Sequence, residues 1–453
     1  MRRKIGLLTL ILAVALLLTS CTGVLADPES LISPPKADGE LQGIEEALYA
    51  AVGKDFSFIY PSAGENRSSC ISVDLNGDSK NEAIVFYRLK NDSSMIHMNF
   101  FAENDGAWKS AFETQFACSG LDRVDFQDVC GDKNLEIMVG CNMYSATDKQ
   151  LNIFTLAGNT LSLLSQENYS SYSIVDIMEN VKPQILLLSI QTQVAVKEES
   201  NLQDASNVQK SAFARFLTFG DQNTVVETGR VELDPNITGF SNITTGLLND
   251  SDKAIYVDAN KGSDLMITEI LYFDNTLINA SYDATLGETR ETKREAPILC
   301  RDIDQDGRIE IPSAQVIKGY TDKAIGERNY YTIWRSYDKT GFQMKSAGVL
   351  NAVDGYYLNL EKDIDWLESI TFVSDTGLKT RTFYDWNFDE SKAGDELFTI
   401  KVFTKRAWQS EDNDDYKVVT VSGDNVYTVN INEKNTSSYQ MTLTQIKDHF
   451  VLL

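Results

Sequence analysis

The chain has 453 residues, 42% apolar and 24% charged, with 66 acidic against 41 basic residues and a net charge of −25. That composition can bury sizeable cores, but the surface is too acidic for direct binding of nucleic acid or anionic lipid headgroups, and divalent cations are its natural counterions. Two histidines, His97 and His449, leave little for zinc sites or Ser-His triads.

The N-terminus reads as a targeting segment. Arg2, Arg3 and Lys4 precede an apolar run over 5–18 that is short for a transmembrane helix. The run ends in Leu18-Thr19-Ser20-Cys21, and in this order and spacing the residues resemble the lipobox of bacterial lipoproteins. The resemblance implies cleavage after residue 20 and a lipid on Cys21. Thr22 follows the lipid site, so nothing directs the chain away from the outer face of the cell membrane. The alternative is an ordinary secretory signal with an incidental cysteine. Residues 21–39, with Ser33-Pro34-Pro35 and Ala37-Asp38-Gly39, have little to bury and read as a tether. Leu41, Ile44, Leu48 and Val52 then recur at helical spacing, which predicts a helix over 40–52 with Asp38 as its N-cap.

A short acidic loop recurs beyond the helix. It is Asp74-Leu75-Asn76-Gly77-Asp78-Ser79-Lys80-Asn81-Glu82 at first and Asp302-Ile303-Asp304-Gln305-Asp306-Gly307-Arg308-Ile309-Glu310 at its fifth occurrence. Both carry oxygen side chains at positions 1, 3, 5 and 9, a spacing that wraps a hard cation. The candidate ligands are Asp74, Asn76, Asp78 and Glu82, and Asp302, Asp304, Asp306 and Glu310, with the backbone carbonyls of Lys80 and Arg308 at position 7. The second loop keeps Asp128, Asp132 and Glu136 but has Cys130 at position 3. The third keeps Asp176, Asn180 and Gln184, and the fourth, over 246–254, only Asp250. Oxygen ligands suit structural Ca²⁺ better than zinc or copper. The competing reading is that Asp and Asn here only close turns through side-chain hydrogen bonds.

Each loop is followed by an apolar strand, then by a hairpin. The hairpins contain Met98-Asn99-Phe100-Phe101, Leu151-Asn152-Ile153-Phe154, Phe213-Ala214-Arg215-Phe216, Ile267-Thr268-Glu269-Ile270-Leu271 and Tyr331-Thr332-Ile333-Trp334, with Gly, Asn or Asp turns. A last strand leads to the next loop, so each repeat carries four strands. A polar insertion near 197–210 lengthens the third. That repeat length predicts a mainly β fold, a β-propeller of five or six four-stranded blades over 40–363.

Over residues 70–360 the loop-plus-strand motif resembles the FG-GAP/VCBS-type repeats of integrin α-subunits and bacterial surface proteins, although the Phe-Gly and Gly-Ala-Pro signatures are missing. The resemblance implies a closed ring. Cys70-Ile71-Ser72-Val73 would then complete the last blade, and the N-terminal part would lock the circle.

The tail, 364–453, breaks the repeat and reads as a small α+β domain, or as a further blade. It has strands near 377–384, 396–403, 416–421 and 426–431, and a capping box at Thr442-Leu443-Thr444-Gln445 that opens a final helix. Trp108 and Trp334 read as core, whereas Trp366, Trp386 and Trp408 offer a binding patch. Cys70, Cys118, Cys130, Cys141 and Cys300 read as buried small hydrophobes, with a Cys118–Cys130 or Cys130–Cys141 bridge as the alternative.

No nucleophile elbow, phosphate loop or zinc-protease motif is present. The expected function is a non-enzymatic surface lipoprotein, held to the membrane by its lipid and presenting a binding face to protein or glycan. An extracytoplasmic polysaccharide hydrolase or lyase using carboxylates is the alternative, as is an accessory subunit of an envelope complex.

Overall fold

The computed structural model describes residues 39–453 except 105, 145–148, 159, 179–181, 195–207, 221–222, 362 and 411–412. The signal, Cys21 and the tether up to Asp38, the expected N-cap, therefore lie outside the described residues, as do Asn180 and most of the polar insertion.

The described chain is mainly β, and its strands form antiparallel sheets that follow one another in sequence. The second sheet comprises Gly120–Gln127, Glu136–Asn142, Lys149–Ala157 and Thr160–Tyr169. The third comprises Ser171–Val175, Gln184–Val194, Val208–Phe219 and Val225–Leu233. The fourth comprises Ile237–Leu247, Lys253–Lys261, Leu265–Asp274 and Thr276–Asn279. In the first sheet the meander is Glu82–Leu89, Ile96–Asn104 and Ala107–Phe116. Its leading edge is shared end to end by Phe56–Phe58 and Cys70–Val73. Between those two pieces the chain crosses to the edge of the second sheet, where the Ser62 and Ala63 amides donate to the Leu121 and Asp122 carbonyls at 3.2 and 2.7 Å.

The fifth sheet runs Ile311–Val316, Tyr330–Tyr337, Phe342–Asn351 and Tyr356–Asn359, and the C-terminal strand Phe450–Leu452 adds to its outer edge. The sixth is Ile370–Asp375, Thr380–Asn387, Lys392–Thr404, Asn425–Ile431 and, at the edge, Lys417–Ser422. Among the described residues four α-helices accompany the sheets: α1 (Gly39–Val52), α2 (Ile364–Glu368), α3 (Lys405–Ser410) and α4 (Leu443–His449). The Thr442 capping box opens α4 as the sequence indicates, with side chain and backbone of Thr442 and Gln445 bonded reciprocally.

Middle strands are apolar on both faces where a sheet lies between two cores. In Glu82–Leu89, Ile84 and Phe86 enter a core shared with the second sheet, and Ala83, Val85 and Tyr87 pack under α1 against Ile44 and Leu48. Further cores join the second sheet to the third, the third to the fourth, the fourth to the fifth and the fifth to the sixth. The sheets thus form a continuous stack in chain order, with α1 over the outer face of the first.

Two expectations are corrected. Cys70–Val73 belongs to the first sheet, not the last, because the eight-residue-long loop that follows is a hairpin loop and returns the chain against its own preceding strand (Cys70↔Val85, Val73↔Glu82). The repeat is also phased differently. The strand before each of the first four acidic loops pairs with the strand after it, so it opens its own sheet rather than closing the previous one.

Candidate metal centre

Each of the first four acidic loops joins the first two strands of its sheet, and the fifth is clasped by a bridge between Arg301 and Glu310. Two features build them. The residue at position 2 is apolar and buried: Leu75, Val129, Ile177 and Ile303. Its backbone N–H is cut off from water, and the side chain at position 9 accepts it. Leu75 N–H donates to Glu82 at 2.9 Å, Val129 to Glu136 at 3.0 Å, Ile177 to Gln184 at 3.2 Å and Ile303 to Glu310 at 3.1 Å. Position 9 is therefore first a satisfier of a buried amide. The fourth loop lacks this side chain and closes instead through Asn249 and Asp252, with the Leu248 amide on the Asp252 carbonyl at 2.7 Å.

Position 1 folds the turn. Asp74 accepts the amides of Gly77, Asp78 and Ser79; Asp128 those of Gly131 and Lys133; Asp302 those of Asp306 and Gly307. Position 5 repeats this on a smaller scale: Asp78 accepts from Lys80, Asp132 from Asn134 and Asp306 from Arg308, each at 2.8–2.9 Å. The backbone pays with left-handed residues, Gly77 at φ 73° and Ser79 at 67° in the first loop, Gln305 at 62° and Gly307 at 86° in the fifth.

What separates the loops is the second oxygen of the position 9 glutamate. Glu82 Oε1 accepts from the Asn76 amide at 3.2 Å. Glu136 Oε1 accepts from Thr155 of a neighbouring strand at 2.8 Å. Glu310 Oε1 is fully buried and has no hydrogen-bond partner. Glu310 lies with Asp302 and Asp304, and one carboxylate oxygen from each of the three falls within 4.8 Å of the others. Oxygens on opposite sides of a Ca²⁺ ion stand roughly 5 Å apart, so this spacing fits a hard cation at the fifth loop.

Burial pushes all three glutamates up. Glu82 and Glu136 titrate above the ordinary carboxylate range chiefly through desolvation. Glu310 is raised to about 7, by burial first and by the charges of Asp304 and Asp306, against the Ile303 N–H and Lys345. Asp306 feels the same burial, but the Arg308 amide and the Lys345 ammonium, 3.0 Å away, outweigh it and hold it low. Lys80 and Arg308 donate their backbone N–H groups to Asp78 and Asp306, and the Arg308 side chain turns to Asp250 at 2.7 Å.

The loops also touch in series. Leu135 donates to the Leu75 carbonyl at 2.7 Å, Lys253 reaches Asp176 at 3.3 Å, and Leu247 donates to Gly307 at 2.8 Å. Successive loops therefore share one side of the stack. Thr155, Lys345 and the Arg308–Asp250 pair complete these sites from other strands and loops, and no spacing in the motif signals them.

The tryptophans part company. Trp334 is fully buried and Trp108 packs under α1. Trp366 lies in the core between the fifth and sixth sheets and donates to the Tyr439 carbonyl at 2.9 Å. Trp408 packs on Phe403, and Trp386 lies against Gly319. The tail tryptophans are thus taken up by three separate packings.

No known protein family and no curated protein matches the sequence. Among solved structures the chain is similar to the exotype rhamnogalacturonan lyase YesX, with a TM-score of 0.31 and 11% identity over 75% of this chain and 74% of that one. It is also similar to a protein from Lactobacillus plantarum, with a TM-score of 0.28 and 8% identity over 74% of this chain and 84% of the other. Both TM-scores lie below 0.5, so neither likeness bears on what this chain does.

Proposed function

We propose that this chain is a lipid-anchored extracytoplasmic scaffold, non-enzymatic, whose propeller-type stack of sheets presents a binding face to protein or glycan. Structural Ca²⁺ occupies the fifth acidic loop, held by Asp302, Asp304 and Glu310. The observation that carries this reading is Glu310 Oε1, buried without a donor beside two further carboxylates. An acceptor left bare in a core costs stability unless something positive meets it. The first and second loops are weaker sites, because Asn76 and Thr155 already serve the equivalent oxygen.

The order of sheets and their shared cores support the propeller-type arrangement. The ends favour an open stack over a closed ring. The outer face of the first sheet is covered by α1. None of the core clusters among the described residues joins the sixth sheet to the first.

The test is calorimetric titration of Ca²⁺ into the chelated full-length protein, with melting temperature followed in parallel. Binding and a raised melting temperature, lost in Asp302→Ala and kept in Asp128→Ala, are expected. No binding at millimolar Ca²⁺ would reduce the loops to turns.

A further inference from the structure

The five cysteines of the described chain sit in different surroundings. Cys70 borders the α1 core, Cys130 lies in the core between the second and third sheets, and the Cys300 thiol donates to Asp258 at 3.0 Å. Cys118 and Cys141 share one core, between the first and second sheets, where their free thiols lie next to each other. The pair that sequence spacing offers, Cys130 with either neighbour, is therefore not the pair that the fold assembles.

The backbone holds both residues of the pair. Cys118 follows the last strand of the first sheet, and the next residue, Ser119, donates its N–H to the Asn142 carbonyl at 2.9 Å. Cys141 lies in the second strand of the second sheet, opposite Leu121. Arg88 of the first sheet reaches the carbonyls of Cys118 and Ser119 at 3.4 and 3.2 Å. The neighbouring Cys141 thiol first, and this guanidinium second, lower the Cys118 pKa against burial, while Cys118 and burial raise that of Cys141.

We propose that Cys118 and Cys141 form a disulfide that staples the exit of the first sheet to the core of the second. Both sulfurs are buried in the folded chain, so the bond forms during folding, by exchange with a disulfide RS–SR of low molecular weight or of a thiol oxidoreductase. The Cys118 thiolate attacks one sulfur of RS–SR and expels RS⁻, which takes up a proton. Cys141 then loses its proton, attacks the Cys118 sulfur of the mixed disulfide and expels the second RS⁻. Two protein thiols are oxidised and one RS–SR is reduced to two RSH. The export expected from residues 1–20 would put the pair where such bonds persist.

The experiment refolds the reduced, denatured full-length chain in a glutathione redox buffer. Free thiols are then trapped by alkylation and the peptides mapped by mass spectrometry. The expected result is loss of two of the six thiols, a Cys118–Cys141 linked peptide, and a melting temperature that falls by a few degrees on reduction. That fall should vanish in the Cys118→Ser/Cys141→Ser double variant and persist in Cys130→Ser. Six free thiols, a glutathione adduct that does not resolve, or a link through Cys130 would each overturn the proposal. The mapping on the unmodified sequence stands even if a serine variant fails to fold.

Discussion

A single oxygen decides which acidic loop is worth loading. Glu82, Glu136 and Glu310 stand at the same motif position and accept the same kind of buried amide, yet only Glu310 keeps an oxygen with no donor. Its folded pKa, about 7, exceeds the ordinary value of roughly 4.3, so the metal-free fold holds the proton more tightly than the unfolded chain does. In chelator, stability should be full below about pH 4.3 and decline as pH rises to about 7, by on the order of 3 kcal/mol. Urea midpoints across that range would show the slope, and Glu310→Gln should flatten it. Charge pairs separate by burial in the same way. Arg294 and Asp258 are both fully buried at 2.7 Å, so Arg294→Met should cost roughly 3–5 kcal/mol by stranding Asp258. Arg308→Met, which frees a fully exposed Asp250, should cost under about 1 kcal/mol in the same denaturation assay.

Local elements were legible because their signals are local. The apolar spacing that predicts a helix over 40–52 is met by α1 at Gly39–Val52, although its buried contacts narrow to Ile44 and Leu48 while Leu41 stays exposed. The capping box before α4 is present, and Thr442→Ala should cost about 1 kcal/mol, read as faster amide exchange over Leu443–His449. The hairpins fall where alternation and turn residues place them, with Gly106 and Asn275 at positive φ. Strand phase was not legible. A strand lying between two turns can pair with either neighbour, and only the hairpin closed by the position 9 side chain settles that it pairs across the acidic loop.

On the scale of the molecule, stacking turns six sheets into one body and sets what its ends look like. The core under α1 consists of Ile44 and Leu48 against Ala83, Val85, Tyr87 and Phe101. Ile44→Asp with Leu48→Asp should lift the helix and bare an apolar sheet face, raising the mass by light scattering above that of the unmodified chain. An unchanged mass would show that something other than α1 protects that face. The tail belongs to the same body in packing terms: the sixth sheet shares the fifth sheet's core, and Phe450–Leu452 returns to pair with Tyr356–Asn359.

The sequence by itself determined where the acidic loops lie, the strands beside them, α1 and the cap of α4. Each of these depends on residues a few positions apart, where periodicity and turn chemistry act. Tertiary structure alone decided the rest. It set Thr155 on Glu136 Oε1 and no donor on Glu310 Oε1, placed Cys118 beside Cys141 rather than Cys130, and buried Trp366 instead of displaying it. The physical reason is distance along the chain. These outcomes depend on which strand of which sheet arrives alongside, and the donors and thiols it brings leave no trace in local spacing.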